Sequence, residues 1–443
     1  MTTHDVATAF DVAVWSFLTG ITGVVLFRVV RFARATPEQR EVLRLARRVR
    51  HGWAHLTVNV GLSYTDDTTR YRYDREGRRL PPVTRRPTIR VRRTTHGVDV
   101  DAGTLPGVGL AEYTKAAPYL ADAWGCTAVQ VRQTVPGTVR LRALLTDPLL
   151  GDLAFTGPSD TVRLDALRLG VDEYGQDAAI PIPETSGVTV GGLPGYGKTS
   201  LVGHSFVQLA PSPLVQFAIL DGKGGGDYDD IARRAFLVCG DDLGEANKSL
   251  RRLYDLMSSR QRLIKSARGA ANFWHSGPDE RWPLVVVIVD ESHTFVQQRR
   301  DTNLKKLAEE NAWYLEQLTK KGRSVGFMTW LVTQKQTGDA IPTSIRDVCQ
   351  VGITFACRTV EAAVAALGDD IRQYPDANPV RLIGREYVGV AVASLPGRPG
   401  YTRIRTPYVP DDVVAATAAD TARLMRDPAD LLARVSSRRL HAS

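Results

Sequence analysis

The sequence predicts an α/β protein with a parallel central sheet and a phosphate-binding loop, preceded by a small α/β domain and an N-terminal transmembrane helix. Three observations predict this class. A glycine-rich loop at 192–199 lies between a short strand and a helix. Apolar runs at 284–289 and 327–332 each end in polar residues, as buried parallel strands do at the carboxyl edge of a sheet. An uncharged stretch at 12–27 precedes an arginine-rich block.

The uncharged stretch is the first element of the chain. With the two valines beyond Arg28 it approaches the ~20 residues that cross a bilayer. Asp5 and Asp11 precede it and arginines follow, so the positive-inside rule predicts a single pass through the cell membrane, with the N-terminus outside and the body in the cytoplasm. We assign residues 1–35 to this anchor. An interfacial anchor or a docking helix stays open as an alternative, because the run is short and contains Ser, Thr and Gly.

The basic character of the chain is local. The 443 residues carry a net charge of +9, yet residues 28–93 alone hold eighteen arginines, no lysine and six acids, a local charge of +12. Such a density of cations attracts phosphate, in lipid headgroups or in nucleic acid. Within residues 36–86 we expect a basic amphipathic helix at 37–50, lying against anionic headgroups, and then a linker or exposed hairpin at 65–86.

A small α/β domain is predicted over residues 87–150. Strands at 88–92 and 97–100, a helix at 109–124 and a hairpin of 128–133 with 138–144 give a ββαββ order. The arginines on these strands are either an ordinary solvated face or a DNA contact, and the sequence leaves both open.

The phosphate loop is the strongest motif. Its spacing G-x-x-x-x-G-K-[ST] and its strand–loop–helix context predict that backbone N–H groups and a helix N-terminus bind the phosphates of ATP. Lys198 would reach the β- and γ-phosphates, and the Thr199 hydroxyl would hold Mg²⁺. The predicted nucleotide-binding residues are Gly192, Leu193, Pro194, Gly195, Tyr196, Gly197, Lys198, Thr199 and Ser200.

The second half of the predicted site follows two apolar strands. Asp290 comes at the end of the first strand and is placed to hold Mg²⁺, directly or through water. Glu291 is placed to polarise the attacking water. Gln334 ends the second strand and is placed to sense the γ-phosphate. His293, three residues after Asp290, also invites a catalytic interpretation. A lone histidine on a helix after the first of these strands is more often a packing or surface residue, so we assign it no role.

These residues resemble the FtsK/SpoIIIE family of double-stranded DNA translocases, within the HerA–FtsK group of RecA-like P-loop ATPases. The resemblance covers roughly 150–410. It is carried, in the family's order, by Val188-Thr189-Val190-Gly191-Gly192, Leu220-Asp221-Gly222-Lys223-Gly224-Gly225, Leu253 to Arg260 and Lys320 to Gly326. Gly222 stands where the family usually has proline. Residues 221–225 and Asp147-Pro148-Leu149 look most like the actinobacterial Tra-type conjugation proteins of plasmids and integrative elements.

The resemblance implies a motor domain over 151–410 and a helical tail over 411–443. It implies a homo-oligomeric ring, usually a hexamer, that moves double-stranded DNA through sequence-independent backbone contacts. A neighbouring subunit would supply an arginine finger, with Arg323 the first candidate and Arg346 the second. Residues 335–340 would line the pore. About thirty residues at the end cannot hold a DNA-reading winged-helix domain, so a partner protein would choose the DNA.

Two other functions stay open from the sequence. The same fold powers protein export, as in the EccC ATPases of type VII secretion, although those string several ATPase modules together. A membrane adaptor that recruits DNA under ATP control is the non-enzyme alternative. The four cysteines show no C-x-x-C spacing and are expected to be reduced thiols rather than zinc ligands.

Overall fold

The structure, a computed structural model, describes residues 34–66, 73, 75–78, 83–155, 157, 162–297, 299–335, 337 and 340–440, and the side chains of 435–440 are not described. The predicted membrane segment at 12–30 lies outside the described residues. Among the helices that are described, none is both long and apolar enough to cross a bilayer. The chain divides into two units, Met1–Asp147 and Pro148–Ser443.

The N-terminal unit is a small antiparallel sheet with two helices packed on it. The sheet has the order β3-β4-β6-β5, and β1 and β2 form a separate antiparallel pair. Its elements are α1 (Pro37–Asn59), β1 (Tyr64–Asp66), β2 (Val83–Arg85), β3 (Ile89–Arg93), β4 (Gly97–Gly103), α2 (Leu110–Trp124), β5 (Ala128–Val135) and β6 (Thr138–Leu144). The order β3-β4-α2-β5-β6 is the ββαββ order that the sequence predicts.

Helix α1 belongs to the core of this unit. A capping box starts it, with the Thr36 hydroxyl accepting from the Gln39 amide and the Gln39 side chain accepting from the Thr36 amide. Its apolar stripe, which includes Leu45, Val49 and Trp53, is buried in one cluster with β4, α2 and β6. The expectation that this helix lies on lipid headgroups is therefore wrong for its apolar face, which packs on protein. The arginines of its basic face, Arg44, Arg47, Arg48 and Arg50, remain exposed.

Several strand arginines of this unit are held in ion pairs between strands. Asp101 on β4 accepts from Arg92 on β3 and Arg140 on β6, each at 2.6 Å. Arg142 on β6 makes a bidentate pair with Asp99 at 2.6 and 2.9 Å, and both side chains are buried. For these three arginines the structure gives an intramolecular role in place of the solvated face or DNA contact left open by the sequence.

The C-terminal unit is built on a ten-stranded mixed sheet with the order β11-β10-β12-β13-β9-β14-β15-β16-β7-β8. Its strands are β7 (Ala166–Asp172), β8 (Asp177–Pro181), β9 (Gly187–Gly191), β10 (Val215–Asp221), β11 (Ala235–Cys239), β12 (Leu284–Asp290), β13 (Phe327–Thr333), β14 (Val351–Thr354), β15 (Val390–Ser394) and β16 (Thr402–Arg405). Its helices are α3 (Lys198–Leu209), α4 (Asp229–Ala232), α5 (Leu243–Arg268), α6 (His293–Val296), α7 (Thr302–Lys321), α8 (Thr343–Arg346), α9 (Val360–Leu367), α10 (Asp411–Thr421) and α11 (Pro428–Leu440), with several short 3₁₀ turns between them.

The sheet is parallel where the sequence predicts it. The six strands from β11 to β14 in sheet order are parallel, and every residue of β9, β10, β12 and β13 is buried. Continuous β-branched runs suit this position because both faces are covered. The remaining four strands are antiparallel and extend one side. The predicted parallel sheet therefore describes these six strands, whereas the full ten-stranded sheet is mixed.

A buried arginine fixes the amino edge of the parallel strands. Arg260 on α5 donates to the carbonyls of Pro283 and Val325, at 2.9 and 3.1 Å, immediately before β12 and β13. Its guanidinium also contacts the rings of Trp282 and Phe327. The side chain therefore aligns the two strands whose carboxyl ends carry the predicted catalytic residues.

Candidate nucleotide-binding site

The phosphate loop is shaped by glycines between β9 and α3. Gly192, Gly195 and Gly197 have φ angles of 145°, 78° and 110°, a region that side chains disfavour. A Cβ on Gly192 would lie 2.7 Å from the Cβ of Phe355, so the loop also needs glycine to pack on the end of β14. The Leu193 amide donates to the Ala356 carbonyl at 2.9 Å and fixes the start of the loop.

Lys198 is held inside this loop. Only 7% of it is exposed, and its Nζ donates to the carbonyls of Gly192 and Leu193 at 2.8 and 2.9 Å. Burial lowers the pKa of Lys198 to about 8, against the opposing pull of the carboxylates Glu291 and Asp290. The Lys198 ammonium is poorly solvated and donates only to loop carbonyls among the described residues. It is therefore well placed to donate to phosphate oxygens in place of these carbonyls.

The two hydroxyl residues after Lys198 have different settings. Thr199 is exposed at the first turn of α3, where its hydroxyl is accessible to a ligand. The Ser200 hydroxyl instead accepts from the Val409 amide at 3.1 Å and lies 3.4 Å from the Pro407 carbonyl. The side chain predicted to bind nucleotide at position 200 therefore anchors the chain that follows β16.

Asp290 and Glu291 stand together at the end of β12. Each is 6% exposed, and Asp221, the last residue of β10, lies in register with Asp290. Burial, together with the charges of Glu291 and Asp221, raises the pKa of Asp290 to about 7. A divalent cation bound here would neutralise this buried negative charge.

Glu291 has an unusual backbone and a tightly held carboxylate. It is the one described residue other than glycine with a positive φ, 43°. Its Oε2 accepts from the Gln334 amide at 3.0 Å and lies 3.2 Å from Nδ1 of His293. Burial by itself raises the pKa of Glu291, but these two hydrogen bonds and the charges of His293 and Lys198 outweigh it and leave the pKa below its ordinary value.

The sheet order explains why these residues meet. Strand β13 pairs with β12 on one side and β9 on the other, so Gln334 follows the strand between the phosphate loop and Glu291. It is the Gln334 backbone that contacts the glutamate. His293, which the sequence gave no role, is the residue that our reasoning missed. A histidine two residues after the glutamate was the available signal, but the contact depends on the neighbouring strand.

Position 222 is glycine where the FtsK/SpoIIIE family usually has proline, and the contacts of this residue explain the difference. Its amide donates to the Asp290 carbonyl at 3.0 Å, a bond that proline cannot make. A Cβ at this position would lie 2.8 Å from the Glu291 carbonyl and 2.9 Å from that of Asp290. The turn after β10 is thus pressed against the backbone of the acidic pair.

The two arginine-finger candidates differ in their surroundings. Arg323 is exposed in the turn before β13, at the opposite edge of the sheet from Lys198, and no described residue bonds to its side chain. Arg346 donates to the Ala365 carbonyl at 3.0 Å and pairs with Asp347 at 3.2 Å. Only Arg323 is therefore presented for contact with another molecule. The segment 335–340, predicted to line a pore, lies partly outside the described residues.

The donor set fits Mg²⁺. This ion prefers oxygen ligands and keeps waters and substrate phosphates, so one hydroxyl and one carboxylate suffice from the protein. Thr199 and Asp290 would supply them. Among the described residues, no group of three or more His, Cys, Asp or Glu is placed to hold a metal ion.

Comparison with known proteins identifies the smaller unit. Residues 34–145 match the family profile described as "Actinomycete conjugal transfer protein N-terminal domain". The predicted resemblance to Tra-type conjugal transfer proteins is confirmed. The matched region runs from α1 to β6. No curated protein matches the chain.

Two solved structures are similar to this chain. The pCW3 conjugation coupling protein TcpA, determined as a monomer with ATPγS, is 13% identical with a TM-score of 0.53, over 86% of this chain and 98% of that one. The type VII secretion ATPase EccC of Thermomonospora curvata is 18% identical with a TM-score of 0.45, over 62% of this chain and 33% of that one. The fold shared with TcpA confirms the predicted α/β fold class.

Proposed function

We propose that this chain is a motor that hydrolyses ATP to move double-stranded DNA during conjugal transfer of a plasmid or integrative element. The observation that carries the proposal is the union of two features in one chain. A conjugal transfer domain occupies 34–145, and a phosphate loop faces a buried Asp290–Glu291 pair in the unit that follows.

The chemistry assigned to the site follows from its contacts. Lys198 exchanges loop carbonyls for phosphate oxygens, and the N-terminus of α3 faces the same anion. Mg²⁺ held by Thr199 and Asp290 would neutralise charge on the phosphates. Glu291, whose lowered pKa keeps it ionised at neutral pH, accepts the proton of the attacking water.

The partners belong to the proposal as well. The arginine block at 28–93 and the uncharged stretch at 12–27 support attachment to the cell membrane, with the ATPase unit in the cytoplasm. The position of Arg323, far from its own Lys198 and exposed, supports a homo-oligomeric ring, hexameric by analogy, in which this arginine completes the site of a neighbour. Contacts with duplex DNA would be made to the backbone and be independent of sequence.

The decisive experiment is ATP hydrolysis by the full chain, purified in detergent, with and without linear duplex DNA. The Lys198→Ala variant is the blank, and single-stranded DNA is the competitor. The full chain is needed because α1 contributes to the core of the N-terminal unit and a truncation inside it would expose that core.

Stimulation by duplex that disappears in Lys198→Ala is the expected result. An ATP hydrolysis rate that is the same with and without DNA would refute the proposal of a DNA translocase and favour a protein-export ATPase. Nucleotide binding without hydrolysis would favour the adaptor.

A further inference from the structure

A histidine joins the proposed general base to the tip of the neighbouring strand. Nδ1 of His293 lies 3.2 Å from Oε2 of Glu291 and 3.3 Å from the hydroxyl of Thr333, the last residue of β13. The Thr333 hydroxyl in turn accepts from the Lys335 amide at 3.1 Å and lies 3.3 Å from the Lys335 carbonyl. The imidazole therefore sits where β12 and β13 end together.

The direction of the hydrogen bond is fixed by the carboxylate. An ionised glutamate can only accept, so Nδ1 of His293 carries the proton and donates it to Oε2. The Gln334 amide donates to the same oxygen. Among the described residues none donates to the other oxygen, Oε1. One carboxylate oxygen is thus anchored by two donors, while the other is left for a water molecule.

The backbone supports the same interpretation. A left-handed conformation is unfavourable at a residue with a side chain and persists only where the surroundings enforce it. Here the strained residue is Glu291, with φ 43°. The Thr294 amide, which donates to the Glu291 carbonyl at 2.8 Å, and the Ser292 amide, which donates to the Val332 carbonyl at 3.0 Å, hold this turn. The turn brings His293 back over the carboxylate.

We propose that His293 is a positioning residue for ATP hydrolysis: its Nδ1–H, with the Gln334 amide, holds Oε2 of Glu291 so that Oε1 faces the attacking water. His293 acts through the glutamate and touches no reacting atom. The inference rests on the proposed function for its reaction, and it needs basal hydrolysis only, with or without DNA.

The arrangement also links the base to residues 335–340, the segment predicted to line the pore. Thr333, Gln334 and Lys335 are consecutive, and all three take part in the bonds around His293 and Glu291. A displacement of the chain after Lys335 would therefore move the donors that hold the carboxylate. His293 ties the orientation of Glu291 to that segment, so its loss should reduce DNA stimulation as well as the basal rate.

The test compares His293→Ala, His293→Asn and the control His275→Ala, an exposed histidine in a turn at the other edge of the sheet. Steady-state kcat and KM for ATP are measured without DNA. Binding of ADP alone and of ADP with aluminium fluoride, which mimics the transferred phosphoryl group, is measured in parallel. Because the binding measurements need no turnover, they test His293 even if duplex DNA fails to stimulate the wild-type chain.

The expected result is a loss of ~10²-fold in kcat for His293→Ala, the cost of misplacing a reacting group by about 1 Å. KM and ADP affinity stay within about 3-fold, while affinity for ADP with aluminium fluoride falls about 10-fold or more. His293→Asn recovers much of the rate, because its amide N–H takes the place of Nδ1–H. His275→Ala behaves as wild type.

Three outcomes would overturn the inference. An unchanged or increased kcat in His293→Ala would show that the contact does not orient the base for reaction. A parallel loss of ADP affinity would show a general structural role. An asparagine variant no better than alanine would show that the donated hydrogen bond is not what matters.

Discussion

The burial of Asp290 predicts that its ionised carboxylate destabilises the folded protein when no nucleotide or cation is bound. Its folded-state pKa is raised from 3.8 to about 7, chiefly by burial. The folded protein therefore binds more protons than the unfolded chain between these two pH values, and stability falls as pH rises through that interval. Replacing Asp290 with asparagine removes the charge and should stabilise the nucleotide-free protein above pH 7.

The magnitude follows from the shift. About three pKa units at 1.36 kcal/mol each give an upper bound of about 4 kcal/mol at pH 8. Asparagine keeps the shape but brings its own buried amide, so we expect about 2 kcal/mol of net stabilisation. For a unit of this size that corresponds to ~5 °C in Tm. At pH 4.5 the folded carboxyl is protonated and its penalty falls to about 1 kcal/mol, so the cost of the buried amide outweighs it and Asp290→Asn should melt slightly below the wild type.

The assay is thermal unfolding of the full chain in EDTA at pH 4.5 and pH 8, for the wild type and for Asp290→Asn. Asp420→Asn, an exposed change on α10, is the matched control. Mg²⁺ with ADP should raise the Tm of the wild type but add little to Asp290→Asn, which should also lose ATP hydrolysis. An asparagine variant that is less stable at pH 8, or equally stabilised at both pH values, would refute the reasoning.

Three further predictions concern other parts of the molecule. Gly222→Pro removes the backbone N–H that donates to the end of β12, and it adds atoms at a position where a Cβ would lie 2.8 Å from a carbonyl oxygen. We therefore expect a loss of at least ~10-fold in kcat and of about 1–3 kcal/mol in the free energy of unfolding, measured by urea titration. Wild-type activity would contradict this. Asp99→Ala removes the carboxylate that accepts two hydrogen bonds from the buried Arg142 guanidinium, and it should cost ~3–5 kcal/mol in the N-terminal unit. The double variant Asp99→Leu with Arg142→Met should restore most of this stability; a single variant as stable as wild type would count against the buried pair. Arg323→Ala should lower hydrolysis by ~10³-fold or more with unchanged ATP binding, and mixing it with Lys198→Ala subunits should restore some activity; no recovery would argue against a finger donated between subunits.

The parts of the fold that the sequence predicts are those encoded locally. Residues 284–290 form an uninterrupted apolar strand that ends in two acids, and the phosphate loop has its strand, its glycines and its helix within 25 residues of chain. The ββαββ order of the N-terminal unit follows from alternation and a Pro-Gly turn. In each case neighbouring residues supply both the pattern and the structure.

What the sequence does not predict depends on contacts between distant segments. The amphipathic pattern of α1 suits a membrane surface and a protein core equally well, and the choice is made by Trp124 and the strands that pack on it. Ser200 fits the phosphate-loop consensus, yet its hydroxyl bonds to Val409, more than two hundred residues away. Arg260 is fully buried, which is rare for an arginine, so its residue type predicts an exposed position. Its burial is explained by the backbone carbonyls that precede the neighbouring strands β12 and β13 and accept its hydrogen bonds.

His293 shows how these two kinds of information combine at the site. The motif places an acid at the end of β12, but the orientation of its carboxylate is set by β13, the strand between the acid and the phosphate loop. The amide of Gln334 and the hydroxyl of Thr333 reach the Glu291–His293 pair only because the parallel register ends both strands at the same edge. One strand tip thus holds both the strained backbone of Glu291 and the two donors on one of its carboxylate oxygens. In the DNA motor proposed above, this tip is where ATP hydrolysis would be coupled to movement along DNA.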